Sequence, residues 1–195
     1  MKEYDRIQKI LDIQDDSVFL WGARQVGKST LVKKLFPDAK VYDLLKSDEY
    51  SRLLRKPQLL REELISYDET KIVIIDEIQK IPSLLDEVHW LIVNRGIRFI
   101  LCGSSARKLR RVGTNLLGGR ALPVMLFPFV SAEISDFNLF RAINNGMIPR
   151  HYMVQNPQKR LEAYIGVYLK EEIQEEAVVR QLSSFNRFLD VAAQC

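Results

Sequence analysis

Gly22-Ala23-Arg24-Gln25-Val26-Gly27-Lys28-Ser29 fits the pattern G-x-x-x-x-G-K-[ST] at every fixed position. Val18-Phe19-Leu20-Trp21, just before it, is short and apolar, as a buried strand is. Behind it, Leu31/Val32 and Leu35/Phe36 recur four apart, as on one face of a helix, and Pro37 stops that helix. The glycines therefore belong to a strand-to-helix turn. Gly22 and Gly27 admit backbone conformations that a Cβ forbids, so successive N–H groups can converge on phosphate oxygens. The new helix adds the positive end of its dipole. The expected nucleotide contacts are Gly22, Ala23, Arg24, Gln25, Val26, Gly27, Lys28, Ser29 and Thr30. Lys28 reaches the β- and γ-phosphates, Ser29 places its hydroxyl on Mg²⁺, and Thr30 neighbours the α-phosphate.

Outward from this turn, the next strong signal is Lys71-Ile72-Val73-Ile74-Ile75-Asp76-Glu77. Consecutive β-branched apolar residues read as a central parallel strand, buried on both faces. The two carboxylates at its C-terminal end fit the Walker B pattern, and a parallel α/β sheet binds ligands at that edge. Asp76 is expected to hold Mg²⁺ with Ser29, and Glu77 to orient or polarise the attacking water. Ile97 to Cys102 reads as another buried strand, ending in Gly103-Ser104-Ser105. Ser104 is the candidate sensor of the γ-phosphate or the water, and Ser105 reads as a helix cap.

The remaining strands are Lys40 to Leu44 and Ala121 to Phe127, where Pro123 marks an edge strand. Between the strands, Ser47 reads as a cap, Pro57 and Pro82 as helix openers, and Gly96 as a stop. A short leading helix is expected over residues 3–14. His89 reads as a packing or surface residue. Arg107, Lys108, Arg110 and Arg111 form a basic cluster that reads first as a solvated helix face, with nucleic acid left open. Beyond Phe129 the strands stop. Ser131 reads as the cap of one helix running to Asn145, and further helical patterns start at Asn156-Pro157 and Gln181.

Composition excludes several classes. The chain has 195 residues, 47% hydrophobic and 28% charged, as a globular protein with a sizeable core does. No apolar run approaches the roughly 18 residues of a membrane span, so no membrane partner is expected. Met1 to Arg6 is too polar for a signal peptide. Two cysteines, Cys102 in an apolar run and Cys195 at the end, suggest a reducing cytoplasm rather than a disulfide framework. The net charge of +4 does not by itself argue for nucleic acid.

With these stretches in hand, the chain resembles the AAA-like ATPases of bacteria and archaea usually described as ATP-binding proteins. The specific wordings are Ile75-Asp76-Glu77-Ile78-Gln79, Gly103-Ser104-Ser105-Ala106, Gly119-Arg120-Ala121 and Leu126-Phe127-Pro128-Phe129. The resemblance implies an α/β P-loop core with a parallel five-stranded sheet in the order 5-1-4-3-2, over residues 1–130, and a helical lid over 131–195. It places Arg120 at the position of an arginine finger, which acts on the γ-phosphate of a neighbouring subunit and so implies a homo-oligomer. It also implies a Gly-Gly-x-Pro turn, here Gly146-Met147-Ile148-Pro149, and a further C-terminal domain that begins about where this sequence stops. The leading function is a Mg²⁺-dependent ATPase releasing ADP and phosphate. The alternative is a nucleotide-gated switch with little turnover, DNA-linked through the further domain. A small-molecule kinase is the third reading, and Glu77, placed to handle water, argues against it.

Overall fold

The computed structural model describes residues 5–7, 16–104, 109, 117–166 and 182–194. Five strands form one parallel sheet: β1 (Ser17–Trp21), β2 (Lys40–Asp43), β3 (Ile72–Asp76), β4 (Arg98–Gly103) and β5 (Ala121–Met125). Their order is β2-β3-β4-β1-β5, the order the resemblance implies. Pro123 lies in β5, an edge strand, as a residue without an N–H is expected to.

Successive side chains of a strand point to opposite faces. Val18 and Leu20 of β1 join Ile74, Ile100 and Cys102 on one face, against Leu31 and Val32 of α1 (Lys28–Leu35). Phe19 and Trp21 join Val73, Ile75, Phe99 and Leu101 on the other. There they meet α2 (Ser47–Arg55), α3 (Leu59–Leu64) and α4 (Leu84–Arg95), which contribute Leu53, Leu60, Leu64, Leu84 and Leu91. The sheet is thus covered on both sides, which is why its central strands read as unbroken apolar runs. Truncating one of these fully buried side chains, such as Ile75, to alanine costs about 2–5 kcal/mol. Gly96 ends α4 in the left-handed conformation, as expected. Ser47 is the first residue of α2 rather than its cap, a position held by Lys46.

Two compact units divide the chain, residues 1–135 and 136–195. In the second, α5 (Leu139–Asn145) is capped by Asn138, whose side chain accepts from Arg141 N, and ends at Gly146 (φ 70°). Pro149 opens α6 (Pro149–Tyr152). The buried Asn145 donates to Val154 O at 2.8 Å, and Tyr152 Oη accepts from Asn138 N at 2.9 Å. α7 (Gln158–Tyr164) and α8 (Leu182–Ala192) follow. The single helix expected from Ser131 to Asn145 is not formed. A 3-10 turn over Ser131–Glu133, closed at its start by the Glu133 carboxylate on Val130 N, is not continued: Ile134 leaves it extended (φ −121°, ψ 106°) and buried, and Asn138 then starts α5 as a separate helix. The leading helix, Ser105 and the basic residues Arg107, Lys108, Arg110 and Arg111 lie outside the described residues, apart from 5–7 of the first.

Candidate functional site

Strand register decides which residues share an edge. Trp21 pairs with Gly103, Ile75 with Leu101, and Asp76 with Asp43. The residues that follow these strand ends, the Gly22 loop, Glu77 and Ser104, therefore emerge together at the C-terminal edge of the sheet.

The loop between β1 and α1 has the backbone that its glycines allow. Gly27 (φ 98°) is the left-handed N-cap of α1, and Gln25 is left-handed as well (φ 66°). Such alternation turns consecutive N–H groups inward, as in an anion-binding nest. A Cβ on Gly22 would stand 2.3 Å from Leu126 O, so only glycine fits between the loop and the end of β5. Lys28 is 6% exposed, and its ammonium donates to Gly22 O at 2.6 Å and Ala23 O at 3.1 Å. No acidic residue stands in the first turn of α1, so nothing there opposes an anion.

Ser29 Oγ donates to Asp76 Oδ2 at 2.5 Å. Asp76 is 6% exposed, and its other oxygen, Oδ1, is buried without a hydrogen-bond partner among the described residues. An orphaned carboxylate oxygen beside a serine hydroxyl is a hard-oxygen donor set, which fits Mg²⁺. Among the described residues no group of three or more His, Cys, Asp or Glu could cage a metal ion.

Glu77 caps the 3-10 turn Ile78–Lys80 with φ 60°, a costly conformation for a non-glycine residue. Its Oε2 accepts from Gln79 Nε2, which also lies 3.3 Å from Ser104 Oγ. Gln79 thus links the two candidate water-handling groups, a connection that sequence reasoning missed. Its only signal was the wording Asp76-Glu77-Ile78-Gln79. Gly103 makes the room for it: a Cβ there would meet Gln79 Oε1 and Trp21 Cζ3, each at 2.6 Å. Beneath them, burial and the Asp76 charge push the Cys102 thiol pKa up, which leaves it an inert core residue.

Arg120 stands apart. It follows the left-handed run Leu117, Gly118 and Gly119 (φ 55°, 55° and 82°) and is exposed. The next residue, Ala121, pairs with Ser17, at the start of β1. Arg120 is therefore at the opposite edge of the sheet from Lys28 and Glu77, roughly 16 Å away along a five-residue strand. The structure does not bring it to the site of its own chain.

Residues 14–135 match the family model described as an AAA domain. The chain belongs to the AAA domain family. No curated protein matches it. The AAA domain covers all five strands and every site residue above, and the family is one of nucleotide-binding, ATPase-like domains. No helix among the described residues is long and apolar enough to cross a membrane.

Proposed function

We propose that this protein binds ATP at the loop Gly22–Ser29 and hydrolyses it to ADP and phosphate with Mg²⁺. The observation that carries the reading is the convergence at one edge: Lys28 and Ser29 at the start of α1, Asp76 with its orphaned Oδ1, and Glu77 tethered to Ser104 through Gln79. Lys28 exchanges the carbonyls of Gly22 and Ala23 for phosphate oxygens when ATP enters. The inward N–H groups of Ala23 to Gly27 and the first turn of α1 hold the β-phosphate, with Thr30 beside the α-phosphate. Ser29 and Asp76 would hold Mg²⁺, which neutralises charge developing on the phosphate oxygens.

Glu77 keeps one carboxylate oxygen on Gln79 and directs the other at water. The water oxygen bonds to the γ-phosphorus, the bond to the β–γ bridging oxygen breaks, and the water proton passes to Glu77 or the departing phosphate. Ser104 contacts the γ-phosphate or the water. A nucleotide-gated switch would use the same residues without turnover, so the test must read binding and chemistry separately. Calorimetry with ATP and a phosphate-release assay do this. Lys28→Ala should lose ATP binding. Glu77→Gln should keep ATP and Mg²⁺ but lose turnover by roughly 10²-fold or more, since it removes a general-base contribution. Unchanged ATP affinity in folded Lys28→Ala overturns the site. Wild-type turnover in Glu77→Gln moves the water-handling role elsewhere. Binding without turnover in the wild type selects the switch.

A further inference from the structure

Arg6 stands outside the AAA domain match and outside every motif, yet its guanidinium is the most heavily bonded cation among the interactions described for the first unit. Its side chain is 8% exposed, and its partner Glu133 is 3% exposed. Nε donates to Glu133 Oε1 at 2.8 Å, Nη1 to Val26 O at 3.0 Å, and Nη2 to Phe127 O at 2.5 Å and Pro128 O at 3.4 Å. The guanidinium carbon lies 5.1 Å from the centroid of the Phe129 ring. Glu133 is saturated in turn: Oε1 also accepts from Ile7 N at 2.9 Å, and Oε2 from Val130 N at 3.0 Å. A buried ion pair repays its desolvation only with such complete hydrogen bonding.

The contact to Val26 O has a geometric consequence. The Val26–Gly27 peptide is trans, so its C=O and N–H point in opposite directions. An arginine that holds the carbonyl on the outer side of the loop thereby turns the Gly27 N–H to the inner side, where the nest gathers its donors. The same guanidinium ties that peptide to the chain leaving β5. Left unheld, the peptide can rotate and withdraw one donor from the phosphate site.

We propose that Arg6, fixed by Glu133, is a positioning residue for the nucleotide's phosphates: it sets the Val26–Gly27 peptide so that the loop is preorganised for a nucleoside di- or triphosphate. This rests on the reading that the loop binds ATP. Arg6 touches no substrate, so its effect falls on affinity rather than on the chemical step.

The test compares wild type, Arg6→Gln, Arg6→Lys and Lys28→Ala as full chains, at a temperature where melting curves show each to be folded. ATP and ADP affinities come from calorimetry, and KM and kcat from phosphate release. Arg6→Gln should weaken both nucleotides roughly tenfold or more, the scale of one charge-assisted bond to a buried carbonyl. KM should rise in step while kcat stays within about twofold. A merely structural arginine would lower the melting midpoint without this split. Arg6→Lys keeps the charge facing Glu133 but lacks the fork that serves Val26 and Phe127 together. It should show the same loss of affinity, and it decides the matter if Arg6→Gln does not fold. Wild-type affinity in folded Arg6→Lys overturns the inference, as does a fall in kcat at unchanged KM. If the wild type itself binds no ATP, or Lys28→Ala binds as well as wild type, it is the ATP reading that fails instead.

Discussion

A Cβ on Gly103 would press on two neighbours that differ in what they can yield. Trp21 is stacked on Phe19, with ring centroids 5.2 Å apart and planes 10° from parallel, and is 4% exposed, so it has little freedom to move. Gln79 meets the Cβ with the far end of its side chain, whose Oε1 is buried without a hydrogen-bond partner among the described residues. Gln79 is therefore the group that shifts, and in shifting it releases Glu77. Gly103→Ala should destabilise the fold by about 1–3 kcal/mol, as overpacking does. It should also lower turnover while ATP affinity stays near wild type. Denaturant melts, calorimetry and steady-state hydrolysis separate the three effects. Adding Gln79→Ala should recover part of the stability but not the turnover. A Gly103→Ala protein with wild-type kcat would show that the tether between Gln79 and Glu77 has no kinetic role.

At the scale of elements, α6 carries a titratable group inside its packing. His151 is 2% exposed, and its ring meets Tyr164 of α7 edge-on, with centroids 5.0 Å apart and planes at 83°. Burial, with the charges of Arg160 and Arg150, holds its pKa below the usual 6.5. Between the folded value and 6.5 the unfolded chain binds more protons than the folded one, so stability rises with pH across that window. The contribution is complete above 6.5 and is lost as pH falls through 6.5 towards the folded pKa. Hydrogen exchange resolved to peptides of α6 and α7, corrected for intrinsic rates, should report more frequent opening at pH 5.5 than at 7.5. His151→Phe should remove that difference. An equal pH response in the variant would assign it to other groups.

At the scale of the whole molecule, Arg120 poses the question of assembly. Sheet register puts it at the edge away from its own Lys28 and Glu77, so any contact with a γ-phosphate has to be made in another copy. If it serves as a finger, wild-type specific activity rises with protein concentration. Arg120→Ala should abolish that rise and leave ATP binding intact, with a loss on the order of 10³–10⁵ in the assembled state. Hydrolysis measured across a dilution series, alongside light scattering, checks this. Turnover independent of concentration and indifferent to Arg120→Ala would assign the residue to the surface.

Much of this was legible in the chain because its causes are local. A loop of fixed glycines between an apolar strand and an amphipathic helix fits few structures other than a phosphate turn. The apolar runs of β1, β3 and β4 announce strands buried on both faces, and Pro123 announces an edge. Lys28, Ser29, Asp76 and Glu77 could be picked out as candidates because they stand at the ends of those elements. The structure added what depends on distant pieces of chain coming together. Gln79 bridges Glu77 and Ser104 only because register sets β3 beside β4, and Gly103 matters only because Trp21 of the next strand lies against it. The expected helix from Ser131 stops after one turn, where Ile134 runs on extended and buried and Glu133 pairs with Arg6. Periodicity records which face of a segment is apolar, but a carboxylate drawn to an arginine 127 residues away leaves no mark on the local pattern. The strands of the sheet and the glycine turn between β1 and α1 were thus determined by the sequence alone. Which side chains meet behind that turn was decided by the tertiary structure, since those contacts exist only after the sheet has assembled.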